Sequence, residues 1–356
     1  MRTRSFTIAL LSACAAISFA AAPAAQTPAT DTCNLTTTER VVAIGDVHGG
    51  FDQFTAILKE AGIVDKNRKW AGGKTVFVQT GDVIDRGPDS RKALDLLRQL
   101  EKDAPKTGGR VIALLGNHEV MRIVGDTRYV SAGEYAAFRD AGSEDLRKNY
   151  YESISSDKAQ KARAAGEKFD EPAFRKTWYD SAPLGSIELA LAFGPKGDYG
   201  KWLRSHDTMT IINGVVYMHG GPSPTVAAMG CAAINQKVRA ELDTVTLGSP
   251  EAATSLMLSP DGPLWYRGLV PGASDATASS EQVDGILKAL NAKTIVVAHS
   301  AAADGKMKAH FDGRVYQIDT GMLDGTFFPN GKPTALEIAG GTFTEIGIGT
   351  KTPVGK

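Results

Sequence analysis

Short apolar runs that pass straight into glycine-rich polar loops set the rhythm of this chain. Val41-Val42-Ala43-Ile44 leads into GDVHGG, and the helically spaced Phe54, Ile57, Leu58 and Ile63 follow. Thr75-Val76-Phe77-Val78 leads into GDVIDRG and a helix-like stretch over 89–101, and Val111-Ile112-Ala113-Leu114-Leu115 leads into GNHE. Runs apolar at every position are expected of strands buried on both faces, and open α/β sheets carry their ligands on the loops at such strand ends. Residues 126–205 change character, with Ala, Lys, Arg and Tyr dominant and weaker periodicity, and read as a helical cap inserted into the sheet fold. Strand and turn character resumes over Ile211 to Met218, ends in His219-Gly220-Gly221, and starts a second sheet layer. A mostly helical span to about Leu258, the block LWYRG, a helix near 280–291 and the strand Thr294 to Ala298 running into His299 come next. Strands at 314–318 and 334–347 finish an α/β chain without internal repeat.

The first residues follow another grammar. Arg2 and Arg4, an apolar run from Phe6 to Phe19, and Ala-rich sequence through Ala25 read as a signal peptide over 1–25, cleaved among Ala20 to Ala25. Leu11-Ser12-Ala13-Cys14 also has the look of a lipoprotein processing site, a minor alternative. The expected organisation is therefore a signal, a flexible segment over 26–38, and one domain over 39–350 carrying the insertion around 126–205. The product is expected to be exported from a bacterial cell, periplasmic or secreted, without a transmembrane helix. Cys33 and Cys231 survive cleavage, and in an oxidising compartment they form one disulfide or stay as two buried thiols; spacing leaves both open.

Composition narrows the classes further. With 356 residues, one large domain or two would fit, and 42% hydrophobic with 22% charged residues excludes a fibrous or disordered chain. Forty Lys+Arg balance forty Asp+Glu, which removes any whole-chain electrostatic argument for nucleic acid or an anionic membrane.

Each apolar strand delivers metal-type donors at its end: Asp46 and His48, then Asp82 and Asp85, then Asn117 and His118, then His219, then His299. Four of the six histidines lie there. Imidazole and carboxylate donors together suit zinc, manganese or iron, and one carboxylate such as Asp82 can bridge two ions. His206 and His310 lie outside these loops and read as packing or surface residues. No Cys-x5-Arg loop and no DxDxT nucleophile is present.

The blocks GDVHG, GDVIDRG, GNHE, HGG and AHS, in this order over residues 45–299, resemble the calcineurin-like metallophosphoesterases and the phosphoprotein phosphatase superfamily within them. NHEVMRIVGDTRYV, LWYRG and the export signal look like the Shewanella-like protein phosphatases. That resemblance implies a four-layer α-β-β-α sandwich with a helical cap insertion and two divalent ions, manganese, iron or zinc. It assigns Asp46 and His48 to the first ion, Asp82 to the bridge, and Asn117, His219 and His299 to the second. A water activated between the ions would attack phosphorus in line. His118 resembles the general acid, Asp85 its orienting partner, and Arg86 and Arg267 the phosphate clamps. The implied activity is a phosphomonoesterase acting on phosphorylated protein, peptide or a small phosphomonoester, with a phosphotyrosine preference. A dinucleoside-polyphosphate or phosphodiester hydrolase is the alternative. A non-catalytic metal- or phosphate-binding protein is disfavoured, because no donor is missing. Asp319 and the glycines Gly45, Gly49, Gly81, Gly87, Gly116 and Gly220 are given geometric roles, and Tyr129, Tyr135, Trp178 and Tyr266 are expected chiefly to pack.

Overall fold

The computed structural model describes residues 32–273, 277–323, 325 and 327–355. The expected signal peptide, with Cys14, lies outside the described residues. The first half of the chain runs β1 (Val41–Ile44), α1 (Phe51–Glu60), β2 (Val76–Gln79), α2 (Ser90–Asp103), β3 (Arg110–Ala113) and α3 (Asn117–Val124). Five helices follow before the next strand: α4 (Ala132–Phe138), α5 (Ser143–Ala165), α6 (Glu171–Ser181), α7 (Ser186–Phe193) and α8 (Asp198–Arg204). Then come β4 (Met209–Ile212), β5 (Val215–Met218), α9 (Pro224–Ala227), α10 (Cys231–Thr244), α11 (Ser280–Ala289) and β6 (Thr294–Val297). The chain closes with β7 (Lys308–His310), β8 (Val315–Gln317), β9 (Thr334–Ala339), β10 (Thr342–Gly347) and β11 (Thr350–Pro353).

Among the described residues two sheets form, in the orders β11-β10-β9-β1-β2-β3 and β4-β5-β6-β8-β7. β1, β2 and β3 are mutually parallel in the first, as are β5, β6 and β8 in the second. Side chains alternate between the two faces of each strand. Val41 and Ala43 of β1, Val76 and Val78 of β2, and Tyr217, Val296 and Tyr316 of the second sheet meet in one cluster between the sheets. The alternate residues Val42, Ile44 and Phe77 pack outward with Phe54, Ile57 and Leu58 of α1 and Leu94, Leu97 and Leu100 of α2. On the far side Val216, Met218, Ile295 and Val297 pack with Ile234 of α10 and Val283 and Ile286 of α11. The layers are therefore α, β, β, α, and burial on both faces accounts for the unbroken apolar strand runs. Parallel pairing then puts the carboxyl ends of β1, β2 and β3 at one edge, and likewise those of β5, β6 and β8.

Two features sharpen the expected boundaries. The run 211–218 is a hairpin whose turn, Asn213-Gly214, has both residues at positive φ, the two-residue turn that matches strand twist. The described tail adds β11 to β10, and β7 pairs with β8; neither strand has a strong apolar run of its own. No described helix is long and apolar enough to cross a membrane.

Of the two alternatives for the cysteines, the structure has the bond: Cys33 and Cys231 are joined, with Cα atoms 5.8 Å apart across 198 residues of sequence. It fastens the segment beside β4, where Leu35 N donates to Ile211 O, to the first residue of α10. A disulfide closing a long loop restricts the unfolded chain and typically contributes about 2–4 kcal/mol. Replacing both cysteines by serine is expected to lower the urea midpoint by a corresponding amount while leaving turnover unchanged. A parallel loss of turnover would show that the bond also shapes the site.

Candidate metal centre

The loops after β1, β2, β3, β5 and β6 bring together the six residues expected to be ligands, Asp46, His48, Asp82, Asn117, His219 and His299, and every one is buried. Asp82 stands at the centre. Its Oδ2 lies 3.7 Å from His48 Nε2, 3.8 Å from His118 Nε2 and 3.2 Å from His219 Nε2. Asp46 Oδ2 is 3.6 Å from His48 Nε2, and Asp46 Oδ1 is 3.7 Å from His219 Nδ1. His219 Nε2 meets Asn117 Oδ1 at 2.8 Å and His299 Nδ1 at 3.1 Å. Donor atoms of His48, Asp82 and His118 lie within 4.8 Å of one another, as do those of Asp82, His219 and His299. Asp82 belongs to both groups.

Tight backbone makes this convergence possible. His48, Asp82, Asp85, Arg86 and His299 all have positive φ, a cost tolerated where surroundings over-determine the conformation. A Cβ on Gly116 would collide with the Asp82 carboxylate and backbone nitrogen, so only glycine lets the loops after β2 and β3 touch. Glu119, the last residue of GNHE, then staples them. Its Oε2 accepts from Asp82 N at 2.8 Å and Gly116 N at 2.9 Å, and its Oε1 accepts from Val83 N at 2.9 Å.

The donor set fits divalent cations. Burial opposes charge on Asp46 and Asp82, yet the neighbouring histidines, His219 foremost, hold both carboxyls below their ordinary range. Burial likewise opposes a charged His219, but Asp82 and Asp46 outweigh it and raise its pKa to about 9, so a proton there balances anions that a cation would otherwise balance. His299 shows the reverse: burial, then His219 and Arg267, push its pKa well down, leaving a neutral imidazole. The ring nitrogen His48 Nε2 is buried and lacks a hydrogen-bond partner, as suits a ligand atom. The other nitrogen of His48 faces Ile84 O at 3.0 Å and that of His219 faces Thr80 O at 3.0 Å, contacts that orient the rings.

At the edge of the donors, His118 Nδ1 pairs with Asp85 Oδ2 at 2.7 Å, and its Nε2 lies 3.5 Å from Arg86 Nη2. Burial lowers the His118 pKa, but the charge of Asp82 and the hydrogen bond that the ring donates to Asp85 more than reverse this, leaving it above the ordinary value. Arg86 sits 5.3 Å from the Phe328 ring centroid, 5.7 Å from that of Tyr129 and 5.9 Å from that of Phe327. Arg267 is anchored by His299 O at 2.9 Å and Ser300 Oγ at 3.0 Å. The expectation that Tyr129 chiefly packs is corrected: it is 43% exposed, with its ring 5.0 Å from that of His118. Tyr135 and Trp178 do pack, the first against the core beneath α1 and α2 and the second against Tyr151 and Tyr179. Asp319, after β8, is a buried carboxyl rather than a loop spacer: burial and the charge of Asp46 raise its pKa well up, and its Oδ1 accepts from Gly321 N. His206 lies against Trp202 and Glu101, and His310 against Gln317, both away from the donors.

The calcineurin-like phosphoesterase family matches residues 39–303. The chain belongs to that family. Calcineurin-like phosphoesterases use divalent metals, and the His and Asp groups here are able to hold them. The phosphoesterase is 28% identical over 84% of its length, and 75% of the relative's, to Shewanella-like protein phosphatase 2 of Arabidopsis thaliana. It is 30% identical to the uncharacterized protein C1840.07c of Schizosaccharomyces pombe, over 79% of this chain and 73% of that one. A crystal structure of the cold-active protein-tyrosine phosphatase of a psychrophilic Shewanella species superposes with a TM-score of 0.68 and 27% identity, over 90% of this chain and 82% of that one.

Proposed function

We propose that this phosphoesterase is an exported protein phosphatase that uses two divalent ions and prefers phosphotyrosine. Asp46, His48 and Asp82 would hold one ion, and Asp82, Asn117, His219 and His299 the other. When bound, such a pair supplies a nucleophilic water and offsets the charge of the phosphoryl oxygens. The remaining work falls to the chain. Arg86 offers its guanidinium to two phosphoryl oxygens at the rim, and Arg267 offers a second cation beside His299. His118, with Nδ1 held by Asp85, directs Nε2 toward the place where a leaving oxygen would sit and donates its proton there.

The observation that carries this reading is a shared edge: His118 Nε2 lies 3.5 Å from Arg86 Nη2 and 3.8 Å from Asp82 Oδ2, a geometry that supports a proton donor and a phosphate-binding cation side by side. The phosphotyrosine preference draws support from Tyr129, Phe327 and Phe328 around Arg86, an aromatic rim suited to an aryl ester, and from the name of the Shewanella enzyme. The Cys33–Cys231 bond supports an oxidising compartment.

The test is hydrolysis by metal-loaded protein of matched phosphotyrosine and phosphoserine peptides beside bis-p-nitrophenyl phosphate and diadenosine tetraphosphate. The phosphotyrosine peptide is expected to give the highest kcat/KM. Tyr129→Ala is expected to raise KM for it about 5–10-fold, the loss of about 1 kcal/mol of ring contact, and to leave phosphoserine turnover unchanged. A preference for the diester or the tetraphosphate would overturn the substrate class.

A further inference from the structure

Behind Asp85 lies a buried chain of charges that the proposed reaction does not yet use. Arg122, on α3, donates through Nη2 to Asp85 Oδ1 and, at 3.0 Å, to Glu134 Oε1. Asp85, Arg122 and Glu134 are all buried. Read outward from the site, the order is His118, Asp85, Arg122, Glu134, so hydrogen-bonded neighbours alternate in sign once His118 carries its proton. Glu134 belongs to the first turn of α4, where it closes a capping box: Glu134 N donates to Ser131 Oγ at 3.2 Å, and Ser131 N donates to Glu134 Oε2 at 3.1 Å. Ser131 Oγ also donates to Gly87 O at 3.0 Å, and Arg86 N donates to Tyr129 O at 2.8 Å. The left-handed backbone of Asp85 and Arg86 is therefore braced from the start of α4.

We infer that Glu134 is a positioning residue for proton donation: through Arg122 it fixes the Asp85 carboxylate, and Asp85 in turn holds the His118 ring with Nε2 facing the reacting phosphate. An arginine bound to Asp85 alone would be a buried cation with one partner and freedom to rotate. Held between two carboxylates it has a single low-energy placement. Its Nε and Nη1 have no partner, and the guanidinium carbon lies 4.9 Å from the Phe193 ring centroid of α7, so Glu134 and Asp85 are the acceptors that orient it. α4 thereby acts on the chemistry without touching substrate.

This inference rests on the reading of His118 as the acid, and the experiment separates the two. Glu134→Ala, Glu134→Gln and His118→Asn are each made alone, and Glu134→Ala is combined with His118→Asn, in the full metal-loaded protein. Turnover is followed on an alkyl phosphate, whose leaving group needs a proton, and on p-nitrophenyl phosphate, whose leaving group does not. Glu134→Ala is expected to lower kcat on the alkyl ester about 10–100-fold and on the aryl ester less than about 3-fold, with KM and bound metal unchanged. Glu134→Gln keeps one oxygen acceptor for Arg122 and the size of the side chain, and is expected to restore most of the loss. Added to His118→Asn, Glu134→Ala should cost nothing further, because both act through one proton. Equal losses on the two esters from both Glu134 variants, or an additive loss in the double variant, would overturn the positioning role while leaving His118 as acid. Equal losses on the two esters from His118→Asn would overturn the acid reading and this inference with it. If Glu134→Ala does not fold, the same comparison is made with Glu134→Gln, for which a loss of less than about 3-fold, confined to the alkyl ester, is the supporting result.

Discussion

Asp82→Asn is expected to lower phosphomonoester turnover more than about 10³-fold and to reduce bound metal, while the protein stays folded. Asp82 is the donor common to both clusters, and its Oδ2 faces His48, His118 and His219 at once. The amide keeps the volume and one oxygen, so packing around it changes little. What disappears is the negative charge that draws cations to both halves of the site and that keeps the His118 pKa high. Charge stabilisation by bound metal contributes several kcal/mol to such reactions, and about 1.4 kcal/mol corresponds to a factor of ten. Metal content by elemental analysis and kcat by phosphate release check the result. Full metal loading with activity within tenfold of the parent would remove Asp82 from the centre of the account.

His118→Asn is expected to leave metal loading intact and to lower kcat about 10²–10⁴-fold on alkyl phosphates, the range of general acid catalysis, with a much smaller loss on p-nitrophenyl phosphate. Its pH dependence follows from the environment of the ring. Burial opposes the charged imidazole, but Asp82 and Asp85 hold the pKa above the ordinary histidine value, so the proton to be donated is kept to higher pH than on a free imidazole. Activity on alkyl esters should then fall as pH rises through that raised pKa, and the variant should lose this alkaline limb. Equal losses on both esters, or an unchanged alkaline limb, would contradict the role.

The parts of this site legible in the sequence are those written in contiguous blocks. Asp46, His48, Asp82, Asn117, His219 and His299 each follow a buried strand, and parallel pairing gathers those strand ends at one edge of each sheet. Burial of the strands on both faces was legible for a related reason, because such strands leave unbroken apolar runs, whereas the four-layer arrangement came with the family resemblance. Glu119 was in view as a letter of GNHE, yet its work of stapling the β2 and β3 loops through three backbone amides shows only in three dimensions. Arg122 was in view only as a letter of the block NHEVMRIVGDTRYV, with no role attached, and Glu134 carries no signal of function. The Ser131-to-Glu134 spacing marks a helix start, which Glu134 indeed makes, and nothing in that spacing points to a buried arginine 12 residues back. Tyr129 was misjudged because an aromatic residue in an Ala- and Lys-rich stretch looks the same whether it packs inward or lines a rim. The cysteine pair was open because 198 residues separate partners that folding alone brings together.

The central claim is that the six convergent donors hold a pair of divalent ions on which phosphomonoester hydrolysis depends. The most direct test strips the protein with chelator, returns manganese, iron or zinc in measured steps, and follows bound metal and hydrolysis of a phosphotyrosine peptide in the same samples. No activity is expected in the stripped protein, with recovery that saturates at two ions per chain, and neither recovery nor full binding in Asp82→Asn. Undiminished hydrolysis by the stripped protein, or recovery indifferent to Asp82, would contradict that claim.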